Sequence, residues 1–290
     1  MQLQRPFFAV IAAAIFVAGC QVSLGGPNIR EPFAQTHPLT DGGTVTVDTF
    51  NGSVRVEVWD RDDVEITGHK HASSQELLDN IQLDIDATAS AIDIKAERIE
   101  KRRGSMGVSF VIHVPHGTNL EPIETSNGSV KLIGTSGQAR VRTSNGSITL
   151  DGHNGPADLH TSNGRIEANE VVGRLEAHTS NGSIVARLSE ADTTSPVRLE
   201  TSNGSIKISV DRLEGNEIYA RTSNSSVTID LPESVGARVR AQTSNGSIRS
   251  DIPFQGGSVS KHHAETSVGD GAGLIDVKTS NGSIHLRTMS

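Results

Sequence analysis

The chain has 290 residues, 34% of them apolar and 29 of them glycine, which is enough to build an ordinary globular core in one or two domains. Aromatic residues make up only 3%, so the core must be packed from Val, Ile, Leu, Ala and Thr, a composition suited to thin β layers. With 26 Lys and Arg against 34 Asp and Glu the formal charge is −8, which argues against nucleic acid and against a strongly anionic surface as partner of the body as a whole.

At the N-terminus Arg5 supplies a short positive region, Phe7 to Ala18 carries no charge, and Val17-Ala18-Gly19-Cys20 closes the run with small residues. An apolar run of this length is too short to span a bilayer and reads as a processed signal. The tetrapeptide resembles the lipobox of bacterial lipoproteins. That resemblance implies a signal peptide over 1–19, cleavage before Cys20, and lipid such as palmitate on Cys20. Cys20 is the sole cysteine, so the fold is expected to hold without a disulfide. Each buried lipid methylene contributes about 0.8 kcal/mol, so two or three acyl chains hold a protein stably at a membrane. Gln21 stands where, in enteric lipoproteins, an Asp favours the inner membrane, and the resemblance therefore implies the outer membrane. Loss of Arg5 with the signal leaves 25 basic against 34 acidic residues, or −9.

Residues 20–40, with Gly25-Gly26-Pro27, read as the lipidated cysteine and a tether. Residues 41–120 read as a less regular N-terminal β region. Strands are expected at Val64/Ile66, Leu83/Ile85, Ile92/Ile94 and Val108/Phe110/Ile112/Val114. A short helix is expected within Ser73 to Asn80, capped by Ser73 or Ser74, and Lys101-Arg102-Arg103-Gly104 forms a charged loop. This region is expected to cap the exposed β edge of the more regular residues 121–290.

From residue 121 to 290 a repeat dominates. Thr-Ser-Asn-Gly-Ser followed by Ile or Val begins at Thr125, Thr143, Thr179, Thr201, Thr243 and Thr279, with variants at Thr161 and Thr222 and an early relative, Thr49-Phe50-Asn51-Gly52-Ser53-Val54. From Thr125 the spacings are 18, 18, 18, 22, 21, 21 and 36, and the last suggests a rung near Gly256 to Gly269 that has lost its motif. Alternating pairs flank each motif, such as Ala139/Val141 and Ile148/Leu150, the mark of half-buried strands. Asn-Gly tolerates positive φ and marks a sharp turn. It could close the hairpins of an antiparallel meander. The constant five-residue motif fits better as the stacked corner of a parallel β-solenoid, with rungs about 4.8 Å apart.

Strict alternation would turn the asparagines inward. Asn127, Asn145, Asn163, Asn181, Asn203, Asn224, Asn245 and Asn281 are then expected to form a buried structural ladder of amides, with the threonines as packing. The outward column before each Thr runs Glu124, Arg142, His160, His178, Glu200, Arg221, Gln242 and Lys278, with no two like charges adjacent at neutral pH. Stacked His160 and His178 would repel in mild acid. The Ser144-type and Ser147-type columns point outward at the corner, a minor option for binding water or glycan.

These residues resemble a bacterial family of β-strand-repeat proteins known as "putative adhesins", whose biochemical function is unassigned. The likeness is carried by Thr-Ser-Asn-Gly-Ser-Ile, by Val114-Pro115-His116-Gly117-Thr118 before the first regular repeat, by Leu231-Pro232 before Val239 to Ser247, and by Asn51-Gly52-Ser53-Val54 with Trp59-Asp60. It implies a β-solenoid and an envelope or surface location. Ser225 in place of Gly, and the gap before Thr279, depart from the pattern and suggest a local bulge.

Carbohydrate-active lyases and hydrolases built on β-helices need convergent carboxylates, whereas Asp151, Asp158, Glu167, Asp230 and Asp251 fall at different repeat positions. His69 and His71 share a strand face and His262-His263 forms another pair, but no third metal ligand has an assignable position. Asn-Gly-Ser offers no Asp for a calcium-binding β-roll. No cofactor and no catalytic residue are expected. The function expected is a non-enzymatic envelope lipoprotein, an adhesin or scaffold, touching the membrane by its lipid and a glycan, peptidoglycan or envelope protein by its surface. The alternatives are a β-helix enzyme on polysaccharide and an envelope-stress accessory or sensor.

Overall fold

The computed structural model describes residues 29–191, 196–213, 215–232, 236–269 and 273–289. Cys20, the signal and the first part of the tether lie outside the described residues. The alternating apolar pattern folds into two long sheets that face each other across an apolar core, and the rungs of both pair in parallel. Each rung is a strand of one sheet, a Thr-Ser-Asn-Gly corner, and a strand of the other, and takes its name from its corner asparagine. Ala139–Thr143 and Ile148–Asp151 make the Asn145 rung, and Ala157–Thr161 and Ile166–Gly173 the Asn163 rung, paired residue for residue. Val141 and Leu159, like Ile148 and Ile166, stack inside with no exposed surface. The extra residues of the longer repeats fall between rungs, at the opposite corner, so the motif corners stay in register.

The expected lost rung at 256–269 is not a rung. Gln255–Val259 and His263–Val268 pair antiparallel as a hairpin on one sheet, and the chain then doubles back. Its final rung, Gly273–Thr279 with Ile284–Thr288, slots between the Asn224 rung and the Asn245 rung. Asp230 of the Asn224 rung fixes it there, bonded to Arg287 at 2.9 Å and to Lys207 of the rung below at 3.4 Å. The spacing of 36 is therefore a coincidence with twice 18.

The N-terminal end repeats the device. Thr44–Thr49 and Val54–Val58 form the Asn51 rung, which lies between the Asn127 rung and an outermost rung made later in sequence, Ala91–Arg98 with Met106–Val114. Outside it run antiparallel strands, Ile81–Ala87 on one sheet and Asp63–Ala72 then Ile29–Pro38 on the other. Thus 41–120 supplies two rungs as well as the cap, and residues 29–38, expected to belong to the tether, are an edge strand. That strand carries Pro32 and Pro38, which cannot donate to a further strand. The one-turn helix Gln75–Leu78 begins where its cap predicted, with Ser74 Oγ accepting from the Leu77 amide at 3.3 Å.

Because stability in a stacked solenoid is a sum over neighbours, an intercalated rung matters to both sides. Removing residues 273–289 is expected to leave 237–269 without its parallel partner. Amide hydrogen exchange over 237–269 should then rise to that of an unfolded segment, while 139–191 keeps its protection. Retained protection over 237–269 would show that the Asn245 rung docks directly on the Asn224 rung.

Candidate functional site

The corner with its flanking serines is the most regular surface of the molecule. Nine asparagines of the described residues form one continuous hydrogen-bonded ladder, in the spatial order Asn51, Asn127, Asn145, Asn163, Asn181, Asn203, Asn224, Asn281, Asn245. Each Nδ2 donates to the Oδ1 of the rung on its N-terminal side at 2.6–2.8 Å, and Asn51 ends the ladder on the Met106 carbonyl at 3.0 Å. The ladder is external: Asn127 through Asn281 are exposed, against the expectation that they turn inward. Alternation stops at Thr, because the corner is a turn and not a strand. Asn51, the first member, carries Phe50 where the other motifs carry Ser, and the motif at Thr49 was the signal that could have added it to the predicted ladder.

The inward positions are Thr and Gly. Thr161 Oγ1 donates to the Gly146 carbonyl of the rung below at 2.9 Å and accepts from its own Gly164 amide at 3.2 Å. The same pair of bonds recurs at Thr143, Thr179, Thr201, Thr243 and Thr279, with Ser225 supplying the carbonyl under Thr279. Glycine is required by crowding. A Cβ on Gly164 would lie 1.7 Å from the Gly146 carbonyl oxygen, and one on Gly146 would lie 1.6 Å from that of Gly128. Of the motif glycines, Gly52 alone has positive φ, so the expected left-handed turn is not the reason for the others. Ser225 disturbs little: the ladder passes through Asn224 without a break and the pairing of Glu217–Arg221 shows no register shift.

Outward columns flank the corner. His160 and His178 stack with ring centroids 4.9 Å apart and planes 6° from parallel. Burial holds His160 below the usual imidazole range, helped by His178 and Arg142. Arg142 lies 3.9 Å from Glu124, and His178 lies 3.9 Å from Glu200. The expected absence of like neighbours fails at two places, the first where the Asn51 rung sets Asp48 beside Glu124. At the second, the intercalated final rung sets Lys278 directly beside Arg221.

The carboxylates weighed for catalysis stay apart. Asp158 faces Arg140 on one sheet, while Glu167 beside Arg165 and Asp230 between Lys207 and Arg287 lie on the other. Two shallow depressions are present, about 150 Å³ beside Arg238, Arg240 and Glu265, and about 400 Å³ beside Asp48, Phe50, Glu97, Arg98 and Lys101. The single tryptophan is engaged within the fold, with His113 stacked on Trp59 at 5.1 Å and Arg61 4.3 Å over its ring. His69 and His71 do meet, with ring centroids 5.8 Å apart, but no group of three His, Cys, Asp or Glu able to hold a metal occurs among the described residues. Burial lowers the pKa of both, and Arg30 adds to it. His262 and His263 are exposed in the turn of the C-terminal hairpin.

Residues 197–287 match the family Toastrack DUF4097. That segment, under a third of the chain, is similar to a Toastrack domain. It is a domain of unknown function, and the match spans the rungs from Asn203 to Asn281. No curated protein matches the chain. Similar solved structures include a "putative adhesin" from Bacteroides fragilis (11% identical, covering 89% of this chain and 97% of that one, TM-score 0.33). Another, from Parabacteroides merdae, is 12% identical over 90% and 97% with a TM-score of 0.36. A "putative lipid binding protein" from Parabacteroides distasonis is 12% identical over 89% and 97% with a TM-score of 0.29. At these values the likeness says nothing of ligand or partner.

The motif corner separates two contributions by mutation. Asn163→Ala removes two exposed ladder bonds and a longer one to the Ser144 carbonyl, and is expected to cost about 1 kcal/mol in urea unfolding. Gly164→Ala forces a methyl against the rung below and is expected to cost about 3 kcal/mol. The reverse ranking would make the amide ladder, and not the backbone approach, the chief constraint.

One buried imidazole gives the fold an acid response. His153 is 1% exposed at the opposite corner, with Nδ1 2.9 Å from Thr135 Oγ1 and Nε2 closed off without a partner. Burial holds its pKa below 6.5, although the carbonyls of Pro156 and Thr135 pull the other way. The unfolded chain therefore binds a proton that the folded one refuses. The stability from this group is full above pH 6.5 and falls as the pH drops through 6.5 toward the folded value. His69, His71 and His160 act with the same sign. His153→Thr, which copies Thr135 of the rung below, is expected to flatten the decline in urea midpoint between pH 7.5 and 5.

Proposed function

We propose that the protein is a non-enzymatic module of the bacterial cell envelope, held by lipid on Cys20 at the outer membrane, that displays its regular corner to an extended envelope glycan. The observation that carries this reading is the unbroken exposed ladder. Its nine rungs, about 4.8 Å apart, make a polar stripe about 38 Å long. Every rung but the first offers one amide flanked by Ser or Arg, as at Ser144-Asn145-Gly146-Ser147, in the same orientation as the last. Because the amides are already fixed by one another, a ligand laid along them costs little ordering. Weak contacts repeated along one polymer then sum to useful avidity. The spread of Asp158, Glu167 and Asp230 over two sheets, each beside a cation, favours this over polysaccharide cleavage.

The test is binding of the lipid-free mature protein to peptidoglycan fragments and to an array of envelope glycans, with released sugars assayed in the same samples. Saturable binding without product is expected, reduced about tenfold when Ser144→Trp and Ser180→Trp together obstruct the corner, the loss of about 1.4 kcal/mol. Release of any oligosaccharide would overturn the non-enzymatic reading. Binding indifferent to the two tryptophans would remove the corner from it.

A further inference from the structure

At the N-terminal end the corner repeat is broken. The outermost rung turns from Arg98 to Met106 through Ile99-Glu100-Lys101-Arg102-Arg103-Gly104-Ser105, in place of the tight Thr-Ser-Asn-Gly turn. Asn80 holds the start of the loop, bonding to Ile99 and Glu100 at 2.9–3.0 Å, and the side chains beyond are exposed. Ile99 is 62% exposed, and Lys101, Arg102 and Arg103 are all exposed. Arg102 is occupied by Glu100 at 3.0 Å and Glu76 at 3.7 Å. Among the described residues no carboxylate lies within ion-pair distance of Lys101 or Arg103. Arg98 rests over the Phe50 ring at 4.7 Å.

The same place is where the chain enters the fold. Ile29 pairs with Ala72, Ala72 pairs with Met106, and the Ser73 amide donates to the Ser105 carbonyl at 2.9 Å. The first described residue is thus two strands from the base of the basic loop, with exposed Arg30 opposite His71 beside it. Nine peptide units separate Ile29 from Cys20, a reach of about 30 Å at most. An anchor at Cys20 would keep this end, and not the Asn245 end, against the membrane.

We propose that the Ile99–Arg103 loop is a membrane-docking tip, with Lys101 and Arg103 on anionic phospholipid headgroups and Ile99 in the interface. Basic residues beside a lipid anchor add attraction to an anionic leaflet, and they set which face of the protein lies against it. Cations within a Debye length of an anionic leaflet are attracted even when the body is acidic, as here, where the mature chain carries 25 basic and 34 acidic residues. The acidic residues Asp84, Asp86 and Asp93 lie on the sheet of Ala91–Arg98, toward the end of the strands away from this loop, while Glu97 is engaged by Lys95 and Glu76 and Glu100 by Arg102. The charge asymmetry would orient the solenoid as well as hold it, with the corner ladder running outward from the bilayer. This inference uses the anchor of the proposed function for its geometry, but its test does not need lipid on Cys20.

The mature chain from Gln21, which holds every described residue, is mixed with phosphatidylglycerol-containing vesicles or with pure phosphatidylcholine vesicles, and hydrogen exchange is read at 99–105. Exchange about threefold slower on the anionic vesicles is expected, with the difference lost in about 0.5 M salt. It should also be lost in Lys101→Gln/Arg103→Gln, whose side chains contact nothing that holds the fold, and reduced in Ile99→Asp. Equal exchange on both vesicles would overturn the proposal, as would protection that survives the double substitution. Protection by inorganic phosphate equal to that by the vesicles would reduce the loop to a simple anion site and overturn the membrane assignment. Glycan binding measured on the same variants stays unchanged if the two surfaces are separate, so failure here is distinct from failure at the corner.

Discussion

At every motif corner that carries glycine, which is all but that of Ser225, two backbones come closer than a Cβ permits. A carbonyl oxygen of one rung occupies the space where the next rung would carry a Cβ, and glycine is the residue that leaves it free. The neighbouring residues follow from that approach. Threonine must lie inside because its hydroxyl bridges the crowded carbonyl and its own glycine amide. Asparagine must lie outside because its amide is then carried directly above the previous one. The apolar pairs on either side need only fill the space between sheets, and they vary freely among Val, Ile, Leu and Ala. A strict motif beside a loose core is what this geometry produces.

The strands were plain in the residue pattern because alternation maps directly onto burial. The parallel stacking was plain because a fixed corner has no reason to recur in a meander. Two features were hidden for physical reasons. The orientation of Asn145 and its kin was misjudged by carrying two-residue alternation through a turn, where backbone dihedrals no longer obey it. The spatial order of the end rungs was invisible because identical corners are interchangeable: Thr279 stacks on Ser225 as well as it would on Gly246, and spacing along the chain does not report spacing in the stack. Asp230 and Arg287 meet only because of that order, 57 residues apart in sequence.

The surface divides into parts of different worth. Ion pairs along the outer columns, such as Arg140 with Asp158 or Arg174 with Glu176, are solvent-exposed and contribute little individually. Their value is in keeping successive rungs compatible. The amide ladder differs in being polarised one way along its length, each bond reinforcing the next. A ligand on it would meet a repeating field and not a single pocket. The basic loop interrupts this regularity at one end, where the chain also enters, and that coincidence gives the molecule a distinguishable bottom and top.

The position of the final rung has a consequence for how the molecule is made. Chains are synthesised N-terminus first, and domains ordinarily settle in that order. Here the strands of residues 273–288 belong in the interior of the described stack, between two rungs that precede them in sequence. Until they arrive, the Asn245 rung has no proper seat, and a chain broken off short would present an open sheet edge. A chain cut before residue 273 would therefore expose an unpaired sheet edge of the kind that invites proteolysis and aggregation.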